Sequence, residues 1–177
     1  MIRRSLLAAL AAGALTLGCA SAPTPADYAA EKPVLALDQY FNGELVAHGI
    51  FTDRAGKVVR RFTVLMKCSW NGDEGVLDED FTYSDGKKER RVWRLKKHAD
   101  GRYTGTADDV VGTAQGQAAG NAFQWAYTLR LPVDGSVYEV QFDDWMYLVD
   151  ERVMLNKAVM SKFGIRLGEV TLAFTKK

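Results

Sequence analysis

From Val58 onward the chain alternates in twos and is punctuated by turns, and no other feature of it restricts the fold as strongly. Val58, Arg60, Phe62, Val64, Met66, Cys68 and Trp70 fall on one side of an extended segment, with Val59, Arg61, Thr63, Leu65, Lys67 and Ser69 on the other. The same period recurs in Leu77/Phe81/Tyr83, Arg91/Trp93/Leu95, Phe123/Trp125/Tyr127/Leu129/Leu131 and Tyr138/Val140/Phe142. Between these runs sit Asp53-Arg54-Ala55-Gly56, Asn71-Gly72, Ser84-Asp85-Gly86, Ala99-Asp100-Gly101, Gly120-Asn121 and Pro132-Val133-Asp134-Gly135. Gly and Asn there supply the positive φ of tight hairpins, and a spacing of about 12–15 residues is that of an antiparallel meander. No interval is long enough for a βαβ crossover.

A twisted meander of about eight to ten strands either closes or leaves two exposed edges, and closure removes the hazard of an open edge. The expectation is therefore all-β: an antiparallel, up-and-down, lipocalin-like barrel over Glu44 to Phe174, with a two-sheet sandwich as the alternative. A barrel spanning the outer membrane is disfavoured because Lys88-Glu89-Arg90-Arg91-Val92-Trp93-Arg94 would set charge against lipid. Two stretches remain open. Leu35 to Phe41 suits either a plug-like helical turn or a lead-in strand, and Val153 to Phe163 suits a helix or a strand that turns at Gly164.

Ahead of this region come Arg3 and Arg4, an uncharged Ala/Leu-rich run from Leu6 to Leu17, and Gly18-Cys19. Basic, apolar and small-residue segments in that order read as a secretory signal. The run falls well short of the ~20 residues that span a bilayer. It also lacks the polar face of a core helix and leads into Pro23 and Pro25. Leu15-Thr16-Leu17-Gly18-Cys19 resembles the lipobox of bacterial lipoproteins, although Thr16 stands where that family usually carries Leu. The resemblance implies cleavage after Gly18, diacylglycerol on the Cys19 sulfur and acylation of the new amino terminus. Ala20 after the cysteine implies sorting to the outer membrane. The expected organisation is a signal peptide over 1–18, a lipidated flexible tether over 19–33, and a single β-barrel domain over 34–177 held at the periplasmic face.

Loss of the signal removes two arginines and no acid from a chain of formal charge +1, so bulk charge gives no support to nucleic-acid binding. With Cys19 acylated, Cys68 is the remaining thiol and an intrachain disulfide is excluded. Cys68 is expected to be a buried apolar side chain, since neither His48 nor His98 lies near it in sequence to act as a base.

Asp78-Glu79-Asp80-Phe81-Thr82-Tyr83-Ser84-Asp85-Gly86, Arg90-Arg91-Val92-Trp93, Ala107-Asp108-Asp109-Val110-Val111-Gly112, Phe142-Asp143-Asp144-Trp145-Met146 and Met160-Ser161-Lys162-Phe163-Gly164 together resemble the proteobacterial lipoprotein family called domain of unknown function 3833. The likeness covers nearly the whole mature domain. It implies envelope localisation, a lipocalin-like fold and a connection with lipid metabolism, and it carries no established activity.

Motifs for phosphate binding, dinucleotide binding, zinc hydrolysis and serine nucleophiles are absent from the sequence, and two separated histidines make no zinc site, so no cofactor or metal is expected. Gly112 to Gly120 reads as small residues where strands approach closely. The acidic clusters Asp78-Glu79-Asp80, Asp108-Asp109 and Asp143-Asp144 each direct at least one carboxylate inward, with Arg91, Arg94, Arg130, Arg152 and Lys157 as available partners. Such pairs serve to lock closure, to orient a polar ligand group or, least readily, as paired catalytic carboxylates. Three function classes follow: a barrel that binds a lipid or other apolar small molecule, an enzyme using inward Asp, Arg and Tyr groups, and an envelope scaffold with a filled barrel. For the first class the expected site is Trp93, Trp125, Tyr127 and Phe142 around an apolar tail, with Asp143 or Asp144 and Arg91 or Arg152 holding the head. The apolar run Trp145 to Val149 is expected to mark a bulge or a strand end over the barrel mouth. Neither a protein partner nor an oligomeric state is legible.

Overall fold

The computed structural model describes residues 21–133 and 135–177. Among these, the alternating runs become ten strands: β1 (Gly43–Asp53), β2 (Val58–Asn71), β3 (Glu74–Tyr83), β4 (Lys88–Lys97), β5 (Arg102–Thr106), β6 (Ala114–Ala119), β7 (Ala122–Val133), β8 (Ser136–Leu148), β9 (Val153–Lys162) and β10 (Ile165–Lys176). Each pairs antiparallel with its neighbour in sequence, and β1 pairs with β10 from Leu45 opposite Lys176 to Asp53 opposite Gly168, which closes an up-and-down barrel. The sandwich alternative is thereby removed. Val153 to Lys162, left open by its pattern, is a strand with Met154, Asn156 and Ala158 turned inward.

The interior face follows the period of two. On β2 it carries Phe62, Val64, Met66 and Cys68, while Leu65 and Lys67 face out. The inward series begins at Phe62 rather than Val58, because the β1–β2 register shifts at Phe51/Thr52 and sets Thr52 opposite Val58. Lys67, Asp80, Arg90 and Arg94 stand exposed on the outer wall. That arrangement, aromatic inside and charged outside, inverts the one a lipid-spanning barrel requires.

The two ends differ. Leu35 to Phe41 forms the plug: a single helical turn, α1 (Leu37–Tyr40), buries Leu35, Leu37, Tyr40 and Phe41 across one end of the barrel. Trp70 Nε1 donates to the Phe41 carbonyl at 2.9 Å, the Tyr40 hydroxyl to the Arg152 carbonyl at 3.0 Å, and Lys97 Nζ to Asp38 Oδ2 at 2.9 Å. At the opposite end, where the β1–β2, β3–β4 and β9–β10 turns lie, no such plug is found among the described residues. Apolar side chains are exposed there instead, with Phe163 89% exposed beside Ile165 and Val137.

Within the segment 19–33 read as a flexible tether, Pro25–Tyr28 is a 3-10 turn laid on the wall near the plug, so this part is docked. Tyr28 packs on Trp145 at 5.7 Å and on Tyr147 at 5.4 Å between ring centroids. This corrects the reading of Trp145 to Val149. There is no bulge: β8 keeps regular register with β7 and β9 through Leu148, and its outward aromatics are apolar because Tyr28 covers them.

β5 and β6 are the short strands of the barrel. β4 pairs with β5 only from Arg94 to Lys97, and the connecting segment 107–113 joins β7 instead, through the Val110–Leu129 bridge and the Arg130 N–H to Asp109 carbonyl bond. The first half of β4 thus faces this segment across a seam without ladder hydrogen bonds.

Gly116 on β6 lies opposite Trp125 of β7, and a Cβ at that position would run into the Gln124 carbonyl and the Trp125 and Phe123 rings. Backbone is the obstacle, so relaxation is costly. Gly116→Ala should lower the unfolding free energy by roughly 1–3 kcal/mol. Urea denaturation checks this, and an unchanged midpoint would contradict the close approach of β6 and β7.

Candidate functional site

The side chains that point inward do not fill the barrel. A cavity of about 160 Å³ runs between the plug residues Leu37 and Phe41 and the open end at Phe51, Tyr83 and Leu131. Its waist is aromatic. Trp93 meets Trp125 at 5.7 Å and Tyr127 at 5.4 Å, both edge-to-face, and Tyr127 stacks on Phe142 at 5.0 Å with the rings 6° from parallel. The four aromatic residues expected at the site come together because β4, β7 and β8 each present the same face of the period to one lumen.

Polar groups interrupt this wall on β3, β4, β7, β8 and β9. Glu79 of β3 is 9% exposed and stands opposite Arg91 of β4 in the sheet register. Arg91 Nε and Nη2 both donate to Asp109 Oδ2, at 2.9 and 2.7 Å, so the guanidinium joins β4 to segment 107–113 across the seam. Asp144 of β8, 7% exposed, accepts from the Tyr127 hydroxyl at 3.4 Å and from Asn156 Nδ2 of β9, which also donates to the Trp145 carbonyl at 3.2 Å. Nearer the open end, the Tyr83 hydroxyl donates to Glu89 at 2.7 Å, and the Arg60 guanidinium lies 3.6 Å over the Tyr83 ring.

Burial dominates the electrostatics of the lumen. It pushes the Glu79 carboxyl up to about 7, with Asp109 and Asp144 adding to the rise and Arg91 opposing it. Asp144 is likewise raised to about 7 by burial, although its bonds to Asn156 and Tyr127 pull the other way. Burial opposes the charge of Arg91, but Glu79 and the bond to Asp109 outweigh it and hold the guanidinium above its ordinary range. The Tyr127 hydroxyl is pushed well up by burial and then by Asp144, so it remains a donor. Cys68 faces inward with its thiol pushed up to about 12 by burial, as suits a side chain that packs rather than reacts.

Two of the expected head-group residues lie elsewhere. Asp143 points outward, as strict alternation next to Asp144 demands, and accepts from Gln124 Nε2 at 2.7 Å. Arg152 is exposed at the plugged end, where its Nε reaches the Lys176 carbonyl at 3.4 Å. Arg91 and Asp144 do belong to the cavity. Glu79 and Asn156 also line it, and Asp109 stands behind Arg91 in the wall; the sequence reading named Glu79 and Asp109 within its acidic clusters without assigning them to the ligand site, and did not single out Asn156. For Glu79 the signal was present, since the inward series Leu77/Phe81/Tyr83 leaves position 79 as its unassigned member.

Comparison with known proteins agrees with this architecture. Residues 14–176 match the family model described as protein of unknown function DUF3833, so the chain belongs to that family. A search among curated proteins returns no match. The S-type phycobiliprotein lyase CPES from Guillardia theta has a similar fold, with a TM-score of 0.58 at 5% identity over 80% of this chain and 90% of that one. A de novo designed fluorescence-activating β-barrel aligns with a TM-score of 0.44 at 11% identity over 81% of this chain and 99% of the design.

The raised carboxyls fix how stability depends on pH. A carboxyl with a higher value in the folded state holds its proton where the unfolded chain has released it, so unfolding free energy falls as pH rises from the unfolded toward the folded value. For Glu79 that window runs from 4.5 to about 7. Urea unfolding of the wild type should show this decline, and Glu79→Gln should flatten it and be the more stable protein above the window. An identical slope in the variant would mean that Glu79 is not held in the lumen as described.

Proposed function

We propose that this DUF3833 protein is an outer-membrane lipoprotein whose barrel takes up a lipid or another apolar small molecule, in a role connected with envelope lipid metabolism. The observation that carries the reading is the unfilled aromatic lumen. Small barrels are able to fill themselves with their own side chains. This one instead keeps a cavity of about 160 Å³, comparable to the ~150 Å³ apolar cavity that admits benzene. Trp93, Trp125 and Phe142 offer flat apolar surface for a chain or ring, and the polar groups between them suit a ligand with one polar end. The tail of a longer ligand has a route past Phe51 and Leu131 toward the open end, where exposed Phe163, Ile165 and Val137 provide an apolar approach.

Ala158 of β9 lines the cavity and is 2% exposed, which makes it the place to fill the lumen from within. The uncharged probe N-phenyl-1-naphthylamine should brighten on binding the wild type, and Ala158→Phe should abolish this while retaining cooperative urea unfolding. Native mass spectrometry of mature protein from its host membrane should recover a bound apolar molecule. A wild type that captures neither probe nor native ligand would favour the filled-barrel scaffold.

The lipoprotein part of the reading rests on Gly18-Cys19 behind the apolar run. Attached acyl chains contribute about 0.8 kcal/mol per buried CH₂, so a multiply acylated Cys19 holds the domain to a bilayer durably. Cys19→Ser should release the protein from sedimented membranes, and Ala20→Asp should shift the anchored form to the inner membrane. Retention of Cys19→Ser in a salt-washed pellet would overturn the assignment.

A further inference from the structure

The hydrogen-bond balance of the lumen is one-sided. Glu79 is nine-tenths buried, lines the cavity and has no hydrogen-bond partner among the described residues. Arg91, the single cation lining the cavity among the described residues, spends its Nε and Nη2 on Asp109 in the wall and shares the lumen with two buried carboxyls, Glu79 and Asp144, whereas Glu89 near the open end is already paired with Lys87 and Tyr83. Asn156 Oδ1 is a further buried acceptor without a donor. A buried acceptor left unpaired is costly, and a buried charge without a counterion more so. Arg91 stands opposite Glu79 but is bonded to Asp109, so one engaged cation serves two buried carboxyls, and a donor that brings positive charge would complete the set.

An anionic head fits poorly. A carboxylate or phosphate in the lumen would stand against Glu79 and Asp144, with only the remaining Nη1 edge of Arg91, already shared with Asp109, to receive it. A cation meets the opposite situation, with carboxyl oxygens on β3 and β8 and the aromatic side chains Trp93, Trp125 and Phe142 lining the same lumen. We propose that the head group of the ligand is a protonated amine, whose N–H groups donate to Glu79 and Asp144 while the apolar tail lies among the aromatic side chains. This rests on the ligand-binding reading above and narrows it to cationic amphiphiles, excluding free fatty acids and phosphate-headed lipids as preferred ligands. The raised Glu79 and Asp144 carboxyls accord with it, because binding a cation returns to them the counter-charge that burial denies.

Displacement of N-phenyl-1-naphthylamine by three ligands of one chain length tests the selectivity: decylamine, decanol and decanoate, at about pH 8, where the amine is protonated and decanoate ionised. Decylamine should compete at least about tenfold more tightly than decanoate, as expected for a hydrogen bond to a charged group. In Glu79→Gln and Asp144→Asn, each verified by cooperative urea unfolding, that ratio should collapse toward unity while decanol is unaffected. If the wild type fails to capture the probe, the ligand-binding reading itself falls. Probe capture combined with decanoate competing as well as decylamine would overturn the amine inference and leave that reading intact. A preference for decylamine that survives both substitutions would also overturn it, by assigning the selectivity to groups other than Glu79 and Asp144.

Discussion

The Arg91 guanidinium is the point at which the wall and the lumen of this barrel depend on one another. β5 and β6 span only 5 and 6 residues, against 10 for β4 and 12 for β7, so the ladder cannot continue along the first half of β4. Segment 107–113 fills the wall by pairing with β7, and the two-point bond from Arg91 to Asp109 ties it back to β4. The same side chain is the counter-charge nearest Glu79 across the sheet. Breaking a buried pair by removing one partner costs about 3–5 kcal/mol, but Asp109 is 36% exposed, so solvent screening makes the seam pair worth less. Its geometric role is the larger one: without it, the barrel has an unladdered slot beside its most polar interior surface.

Leaving the lumen unfilled is expensive on the scale of a domain of this size. Side chains lining the unfilled lumen forgo the packing contacts that a barrel filled by its own residues makes, against a typical stability of only ~5–15 kcal/mol. Burial of two carboxyls without full pairing adds to that cost. Larger side chains at Ala158 or Val64 would relieve the first, and amides at positions 79 and 144 the second. Both departures from the most stable sequence fall in one lumen, where a bound molecule would supply the missing contacts, and that coincidence is what the ligand-binding proposal accounts for.

Much of this architecture was legible because a period of two with hairpin signals has few closed solutions, and the lumen inherits its residues from that period. Trp93, Trp125, Tyr127, Phe142, Arg91 and Asp144 were placed by alternation alone. Asp143 was misassigned where the sequence offered two adjacent carboxylates, although the period permits only one of them inside. Other features depend on contacts distant in sequence. Tyr28 lies far upstream of the Trp145 and Tyr147 rings it covers, so an outward apolar pair on β8 looked like a break in the strand. The shortness of β5 and β6 leaves no mark in the glycine-rich run, because Gly116 suits a strand against Trp125 as well as it suits a loop. Val153 to Lys162 was ambiguous since its inward residues, Met154, Asn156 and Ala158, include an amide whose partner, Asp144, lies on the preceding strand.

The two ends of the barrel give it a direction. The described chain reaches it along the plugged end: the turn Pro25–Tyr28 packs beside the β6–β7 hairpin, and the Leu35 N–H donates to the Gly120 carbonyl there. Cys19 precedes Thr24 by five residues, a reach of at most ~3.3–3.6 Å each. β8, at 13 residues and about 3.3 Å per residue, is over twice as long as that reach. An anchor at Cys19 would accordingly hold the plugged end toward its own bilayer and turn the rim of Phe163, Ile165 and Val137 away from it. A barrel so anchored would exchange any ligand with something that approaches from the aqueous side, unlike a protein whose mouth faces the membrane it is fixed to.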